Sequence, residues 1–443
     1  MSTDADGVPV PGLAHRWESP DDRRWTFYLR PEARFHHGAQ ATVDDVLFSL
    51  NRARRHPKSV LSGFLSSVRS VKADAAAGSV LVELDRPDPF FLEALSQIAM
   101  VAQDAPQHIT RPSGTGPYRF VSYEPGRSIR LERFAEGPKP LPAEPVVEFL
   151  IEPQAPRAVT LLERGEVDLI YGLPPALVAR VEDDPALWVE SRLSRSVFYL
   201  DLNPEHEPLD DPRVRQAVHL AVDRKALVEE VTLKHSRAAG QMLTPDLLGF
   251  DPTLEPTARD LSAARRLLAE AGFSAENPAS FRLEANDAFV DLCAVLAAQL
   301  REAGIQVDMV TRPWPELYPD TVAGRTEAWL NLWLFDSTDS AVFFGQVVHT
   351  PTEDGKWGGN FRRPPNAARD EALEADIRAA FAEADAARRE TALKAINRRS
   401  AALNRHIPLI WPLDLYGLRR QLEWQVRRDN ALWAVGMRRK TEK

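Results

Sequence analysis

Chemistry in this chain gathers around Asp336, where the stretch WLNLWLFDSTDS (329–340) runs from apolar and amide residues straight into a carboxylate. A seven-residue run of that kind reads as a strand covered on both faces, and residues just past the carboxyl end of such a strand border the crevice where open α/β sheets bind ligands. A carboxylate there can accept charge-assisted hydrogen bonds from a cationic group such as an α-amino terminus, a contact worth roughly 1.5–3 kcal/mol where water is excluded. It can equally be an N-cap, because DSTDSAVFFGQVV offers Asp336, Ser337 and Asp339 to a following helix. Spacing alone leaves ligand and cap level, and the two are compatible. Trp333, a large aromatic in the same strand, belongs by residue type to the core more readily than to a ligand.

The rest of the chemical inventory is thin. The sequence has no HExxH, CxxC, G-x-S-x-G or Walker-type glycine loop. His36 and His37 are adjacent, so on a strand they point to opposite faces and cannot chelate one ion together. SGTGPY (113–118) leads into a proline and a strand, the pattern of a tight turn feeding YRFVSY into a sheet rather than of a phosphate cradle at a helix N-terminus. Cys293 is the single cysteine, which excludes an internal disulfide and a multi-cysteine metal site. The expectation is a protein with no catalytic residues, no metal and no cofactor.

Length and composition bound the classes further. A chain of 443 residues predicts two or three domains. Its 44% hydrophobic and 27% charged residues are those of a soluble globular protein. Net charge is −9 with no dense Lys/Arg tract, which argues against nucleic acid as a partner. No apolar run is long enough to span a membrane, and MSTDADGVPVPGLAHRWE lacks the basic and apolar regions of a signal peptide. As written, the chain is expected to stay in the cytoplasm.

The elements that must position these residues are legible from periodicity. WTFYLR alternates as a half-buried strand stopped by Pro31, with no earlier element expected to pair with it. TVDDVLFSLNRARR reads as a helix capped by Thr42, and SVLVELDRP as a second strand, so the first third predicts an α+β unit. From about Arg111 the pattern lengthens. RAVTLLERGEVDLIYGLPPALVARV reads helix, Gly165 stop, strand, helix. DLSAARRLLAEAGF and DLCAVLAAQLREAGIQVDMV are helices ending at Gly272 and Gly304, the second running into a strand. ARDEALEADIRAAFAEADAARRETALKAINRRSAAL reads as one long polar helix before a final apolar strand, IPLIWPL.

Several of these segments resemble, in family order, the bacterial extracellular solute-binding proteins of family 5, the binding proteins of peptide-type ABC importers. They are PGLAHRWESPDDRRWTFYLRPEARFHHGAQATVDDVLFSLNRA, GTGPYRFVSYEPG, LLERGEVDLIYGLPP, FYLDLNPEHEPLDDPRVRQAVHLAVDRKAL, ARRLLAEAGF and WLFDSTDSAVFF, spread from Pro11 to about Leu415. The resemblance implies an α/β, two-lobed periplasmic-binding-protein-like fold (type II, cluster C-like) with an extra α+β subdomain. The expected layout is 1–110 as that subdomain of lobe I, 111–212 as the lobe I core, 213–408 as lobe II, and 409–443 returning to lobe I. It implies closure by hinge motion on an extended peptide or similar small solute, delivered to ABC permease subunits. The protein would be a monomer, periplasmic or membrane-associated outside the cytoplasm.

For site residues the resemblance carries over the tryptophan-x-x-aspartate of peptide binders to Trp333 and Asp336, with Asp336 anchoring the ligand's α-amino group and Trp333 lining the cleft. Asn203, in FYLDLN, matches a position near the peptide backbone. Three departures stand out: Asp339 and Ser340 replace a common Asp-Pro, Leu330 stands where the oligopeptide binder has an arginine, and about 40–50 residues that usually precede PGLAHRWE, with a strand and helix of the large lobe, are expected to be missing. The alternative reading is a cytoplasmic ligand-sensing domain related to a transcriptional regulator.

Overall fold

The computed structural model of the chain describes residues 1–56, 59, 61, 65, 67–352, 357, 358, 369–428 and 431–440. These fall into two compact units, one of Met1–Glu190 with Leu415–Lys443 and one of Ser191–Asp414. The division thus falls at 190 and 414.

In the first unit, β1 (Ala14–Glu18), β2 (Arg24–Leu29), β3 (Val68–Asp74) and β4 (Ser79–Leu84) form a four-stranded antiparallel sheet in the order β1-β2-β4-β3. The strand expected to lack an earlier partner has one: Trp17 of β1 stands opposite Phe27. Ala14–Glu18 escaped the periodicity reading because its polar residues carry no apolar alternation, which is how an edge strand is commonly built. Over the sheet lies α1 (Val43–Arg55), started by the capping box Thr42–Asp45 and burying Val43, Val46 and Leu50. Phe91 joins the same core against Trp25 and Phe27.

A second antiparallel sheet follows, of β5 (Tyr118–Glu124), β6 (Ser128–Arg133) and β7 (Val146–Leu150). Then come α2 (Ala155–Glu163) and β8 (Leu169–Tyr171), whose register pairs it with Tyr416–Leu418 near the chain's end. A cavity of about 500 Å³ is lined without a break by Val146–Leu150 and by Val167–Tyr171. Successive residues of a strand point to opposite faces, so unbroken lining means that the cavity meets β7 and β8 along their hydrogen-bonding edges.

The second unit is a mixed sheet with helices against it. Its strands are β9 (Ser196–Leu202), β10 (Ser280–Asn286), β11 (Gln306–Arg312), β12 (Ala328–Leu334) and β13, which begins at His406 and runs to Arg419. β9 lies antiparallel between β12 and β13, while β10 lies parallel to both β12 and β11. Helices α3 (Pro212–Ala221), α4 (Leu261–Glu270) and α5 (Val290–Glu302) bury Val214, Val218, Leu268, Leu296 and Leu300 against Leu200, Leu202, Leu283 and Leu330. Asp211 and Asp260 cap α3 and α4, and Gly272 and Gly304, both at φ 93°, stop α4 and α5 as their spacing predicts. Cys293 is buried within α5, and burial pushes its thiol up to about 11, so it acts as core and not as a nucleophile.

The expected long polar helix is two helices, α6 (Glu371–Ala382) and α7 (Ala386–Ala402). Asp385 accepts from the Arg388 amide at 2.9 Å and starts a new helix, a local bond that competes with continuing the old one. Residue 368, at the start of that stretch, lies outside the described residues.

Candidate functional site

β12 carries the candidate residues out of the core. Trp329 and Leu330 are buried, while Leu334 is 50% exposed, so the strand is covered at its start and open at its end. β12 runs antiparallel to β9 from Leu202↔Ala328 to Ser196↔Leu334. The Phe335 amide then donates to the Arg195 carbonyl at 2.9 Å, extending the contact by one residue. Asp336 is the first residue past it.

The carboxylate of Asp336 has no hydrogen bond or ion pair among the described residues, and its side chain stays open to solvent. Partial burial alone raises its pKa above the ordinary carboxylate value. The capping chemistry sits three residues later. Asp339 accepts from the Ala341 amide at 2.9 Å through Oδ1 and from Arg389 Nε at 2.5 Å through Oδ2. Ser337 Oγ accepts from the Asp339 amide at 3.1 Å, and the Leu248 amide donates to the Thr338 carbonyl at 2.9 Å. Of this acidic cluster, Asp339 bonds the Ala341 amide and Arg389, and Asp336 has no partner among the described residues in a partly desolvated place.

Trp333 is half-buried, edge-on to Phe343 with centroids 5.6 Å apart and to Phe335 at 6.4 Å.

Asn203 stands at the other end of β12 from Asp336. It is buried, and its side-chain amide donates to the carbonyls of Gly324 at 3.1 Å and Thr326 at 3.0 Å while accepting from the Glu205 amide at 3.1 Å. Its own amide donates to Glu327, before the first residue of β12. The seven residues of β12 therefore separate it from Asp336, a span of about 23 Å at roughly 3.3 Å per residue. Every polar atom of its side chain is used to hold a turn.

The sequence reading missed Arg195 and Asp246. Arg195 is 4% exposed, and its Nε donates to Asp246 Oδ2 at 3.1 Å while its Nη2 is buried without a partner. Asp246 in turn accepts from Thr244 Oγ1 at 2.7 Å. The one available signal was an arginine interrupting the apolar start of SRSVFYLDL. Nothing in the spacing points to an aspartate 51 residues on. Leu330, where the oligopeptide binder has an arginine, is buried in the sheet and offers no charge.

The other motifs are structural. His36 Nε2 lies 3.0 Å from the Gly116 carbonyl, the Gly114 amide donates to His36 Nδ1 at 3.2 Å, and His37 Nδ1 lies 2.9 Å from Ser113 Oγ. The histidine pair thus clamps the SGTGPY turn. Among the described residues no group of three or more His, Cys, Asp or Glu side chains could hold a metal ion, and no helix is long and apolar enough to cross a membrane.

Residues 8–354 match the model of the bacterial extracellular solute-binding proteins, family 5 (Middle). The chain belongs to that family. This family 5 protein is 27% identical over 376 residues to heme-binding protein A of Haemophilus influenzae, covering 76% of this chain and 68% of that one. It is 27% identical over 379 residues to the dipeptide-binding protein of Escherichia coli, covering 76% and 70%. A crystal structure of NikA from Brucella suis in complex with Fe(III)-EDTA superposes with a TM-score of 0.87 at 22% identity, over 99% of this chain and 93% of that one. The fold is the α/β fold of periplasmic binding proteins expected from the sequence, and the function is solute binding. The comparisons give the sensing-domain alternative no support.

Proposed function

We propose that this family 5 protein captures short peptides as the substrate-binding component of a peptide-type ABC importer. The ligand's α-amino group pairs with Asp336, its first residue lies along Trp333 and Leu334, and the loaded protein, a monomer, delivers it outside the cytoplasm to membrane permease subunits. The observation that carries this reading is the Asp336 carboxylate, partly desolvated and without a partner although acids and bases are paired all around it. A carboxylate kept in that state is a poor contributor to stability and a good receptor for an ammonium group. The names of several relatives, the dipeptide-binding protein of E. coli among them, make peptide the first solute to test.

Thermal-shift and calorimetric titration with di- to pentapeptides test it. A peptide at a hundredfold excess over its Kd should stabilise the protein by about 2.7 kcal/mol. Asp336→Asn should remove most of the affinity for peptides with a free amino terminus and little for N-acetylated ones. Equal loss for both would reject Asp336 as the anchor, and silence across the whole panel would reject peptide as the ligand.

A further inference from the structure

We propose that the cavity between β7 and β8 is a second binding site, which takes an extended, cationic segment of another polypeptide as an added strand. The proposal stands apart from the Asp336 reading, since nothing in it calls on a free α-amino group.

The backbone points to a strand. The Arg133 amide donates to the Pro145 carbonyl at 2.8 Å and the Ile151 amide to the Arg127 carbonyl at 2.8 Å, so Val147 and Phe149, in the same alternation, turn their backbone groups toward β6. Those of Val146, Glu148 and Leu150 therefore turn away from β6, and they have no hydrogen-bond partner among the described residues. On β8 the Arg419 amide donates to the Asp168 carbonyl at 3.0 Å, and the same alternation turns the backbone groups of Leu169 away from β13. Both sets border one cavity. An extended polypeptide carries N–H and C=O groups on both of its sides at the strand repeat of about 3.3 Å, which is what two facing edges require.

Side chains and charge set its type. Ile170 stands with Leu162 against Gly417 on one face of β8, while Leu169 packs with Leu422, Leu432 and Met437 on the other. Ala158 and Leu161 of α2 line the cavity together with those last three residues, so an added strand meets apolar cover on both faces and should itself be a continuous apolar run. A residue in a packed sheet fills about 160 Å³, so a cavity of about 500 Å³ holds about three. The lining is acidic: Glu144, Glu148, Glu152, Glu166 and Asp168 stand in it, with Arg439 the one cation among the described lining residues. Arg439 is held by Asp168 at 2.9 Å, and the exposed Arg130, Arg157 and Arg164 lie 3.6, 3.1 and 3.9 Å from Glu148, Glu152 and Glu166. Exposed pairs of that kind are weak, which leaves the carboxylates open to lysine or arginine flanking the apolar run of a partner. The chain's own apolar runs in β9, β12 and β13 are paired with one another, so a second copy has none to give.

The test is titration calorimetry and hydrogen exchange on the full chain with the peptide KVIVK, acetylated and amidated, beside the equally capped controls KVPVK and EVIVE. KVIVK should bind at least about tenfold tighter than either control and should slow exchange in 145–151 and in 167–172 together. Glu148→Pro gives up no ladder bond, because that N–H points away from β6, and should weaken KVIVK by about tenfold or more. Equal binding of KVIVK and KVPVK would overturn the proposal, as would protection confined to one of the two strands, or no binding of KVIVK at all. Displacement of KVIVK by alanyl-alanine would place the peptide at the Asp336 site and overturn it too. Capped peptides lack the ammonium group that Asp336 calls for, so the peptide reading is judged on free-amine peptides and can fail without this proposal, or survive it. If Glu148→Pro does not fold, the wild-type exchange pattern and the two controls decide.

Discussion

Asp339 Oδ2 and Arg389 Nε lie 2.5 Å apart, with the arginine side chain 3% exposed and the aspartate 12%. Arg389 Nη1 also donates to the carbonyls of Ala380 at 2.6 Å and Glu383 at 3.0 Å, so this one guanidinium joins the end of α6 and the start of α7 to the segment after β12. Removing one partner of a buried ion pair leaves the other charge uncompensated, at about 3–5 kcal/mol. Asp339→Ala should therefore cost that much in urea unfolding, while Asp336→Ala, which breaks no described contact, should stay within about 0.5 kcal/mol. Comparable losses for the two would mean that Asp336 has a structural role.

Asp336 should also make stability fall as pH rises. Burial places its folded-state pKa above the unfolded value of 3.8, so between those values the folded chain holds more protons than the unfolded one. Stability then declines with rising pH through that window and remains lower above it. Ligand-free Asp336→Asn should melt at the same or a higher temperature than wild type at neutral pH, with the difference vanishing below the ordinary carboxylate range. Affinity for a free-amine peptide should fall as pH drops through the same raised value, because only the ionised carboxylate pairs with ammonium.

Asp251 predicts the opposite sign. It is buried and accepts from the Thr253 amide at 3.0 Å, from Thr253 Oγ1 at 2.7 Å and from Arg398. The Thr253 amide, followed by Arg398 and the threonine hydroxyl, holds its pKa down at about 2 against desolvation. Its contribution is present above about pH 3.8 and is lost as pH falls toward 2. Asp251→Asn should cost about 1–3 kcal/mol at neutral pH and flatten acid unfolding across that interval, as followed by circular dichroism.

Gly240 is set by close backbone approach. A Cβ there would stand 2.2 Å from the Leu254 carbonyl oxygen and 2.4 Å from the Glu255 carbonyl carbon. Since both are main-chain atoms, no side chain can turn aside, and Gly240→Ala should destabilise by about 1–3 kcal/mol or more. Wild-type stability in that variant would show that the 240 and 254–256 segments separate freely.

Much of the fold was legible because its signals are local. The Thr42–Asp45 capping box, the glycine stops at 272 and 304 and the apolar face of α1 depend only on neighbours in sequence, and the structure has them where spacing put them. The misreadings were non-local or broke a pattern. Ala14–Glu18 is a polar edge strand without alternation, and Asp385 interrupts a helix that composition alone would continue. At the site, Asp336 could be found by its place at the end of an apolar run, but sequence could not say that Asp339 and not Asp336 bonds the Ala341 amide and Arg389. That Asn203 lies at the far end of β12 was not legible, because sequence does not say which end of an antiparallel pair a residue occupies. Arg195 was overlooked because its partner lies on a distant loop.

The seam between β7 and β8 bears on how this protein behaves in concentrated solution. Both strands line a cavity of about 500 Å³, and Val146, Leu150 and Tyr171 on those strands are 37%, 45% and 51% exposed. Unprotected edges with apolar side chains are templates for strand addition. Loss of solubility should therefore begin here, through cross-β contacts between molecules, and a charged residue or a proline placed on β7 would be the economical way to keep the protein dispersed for titration.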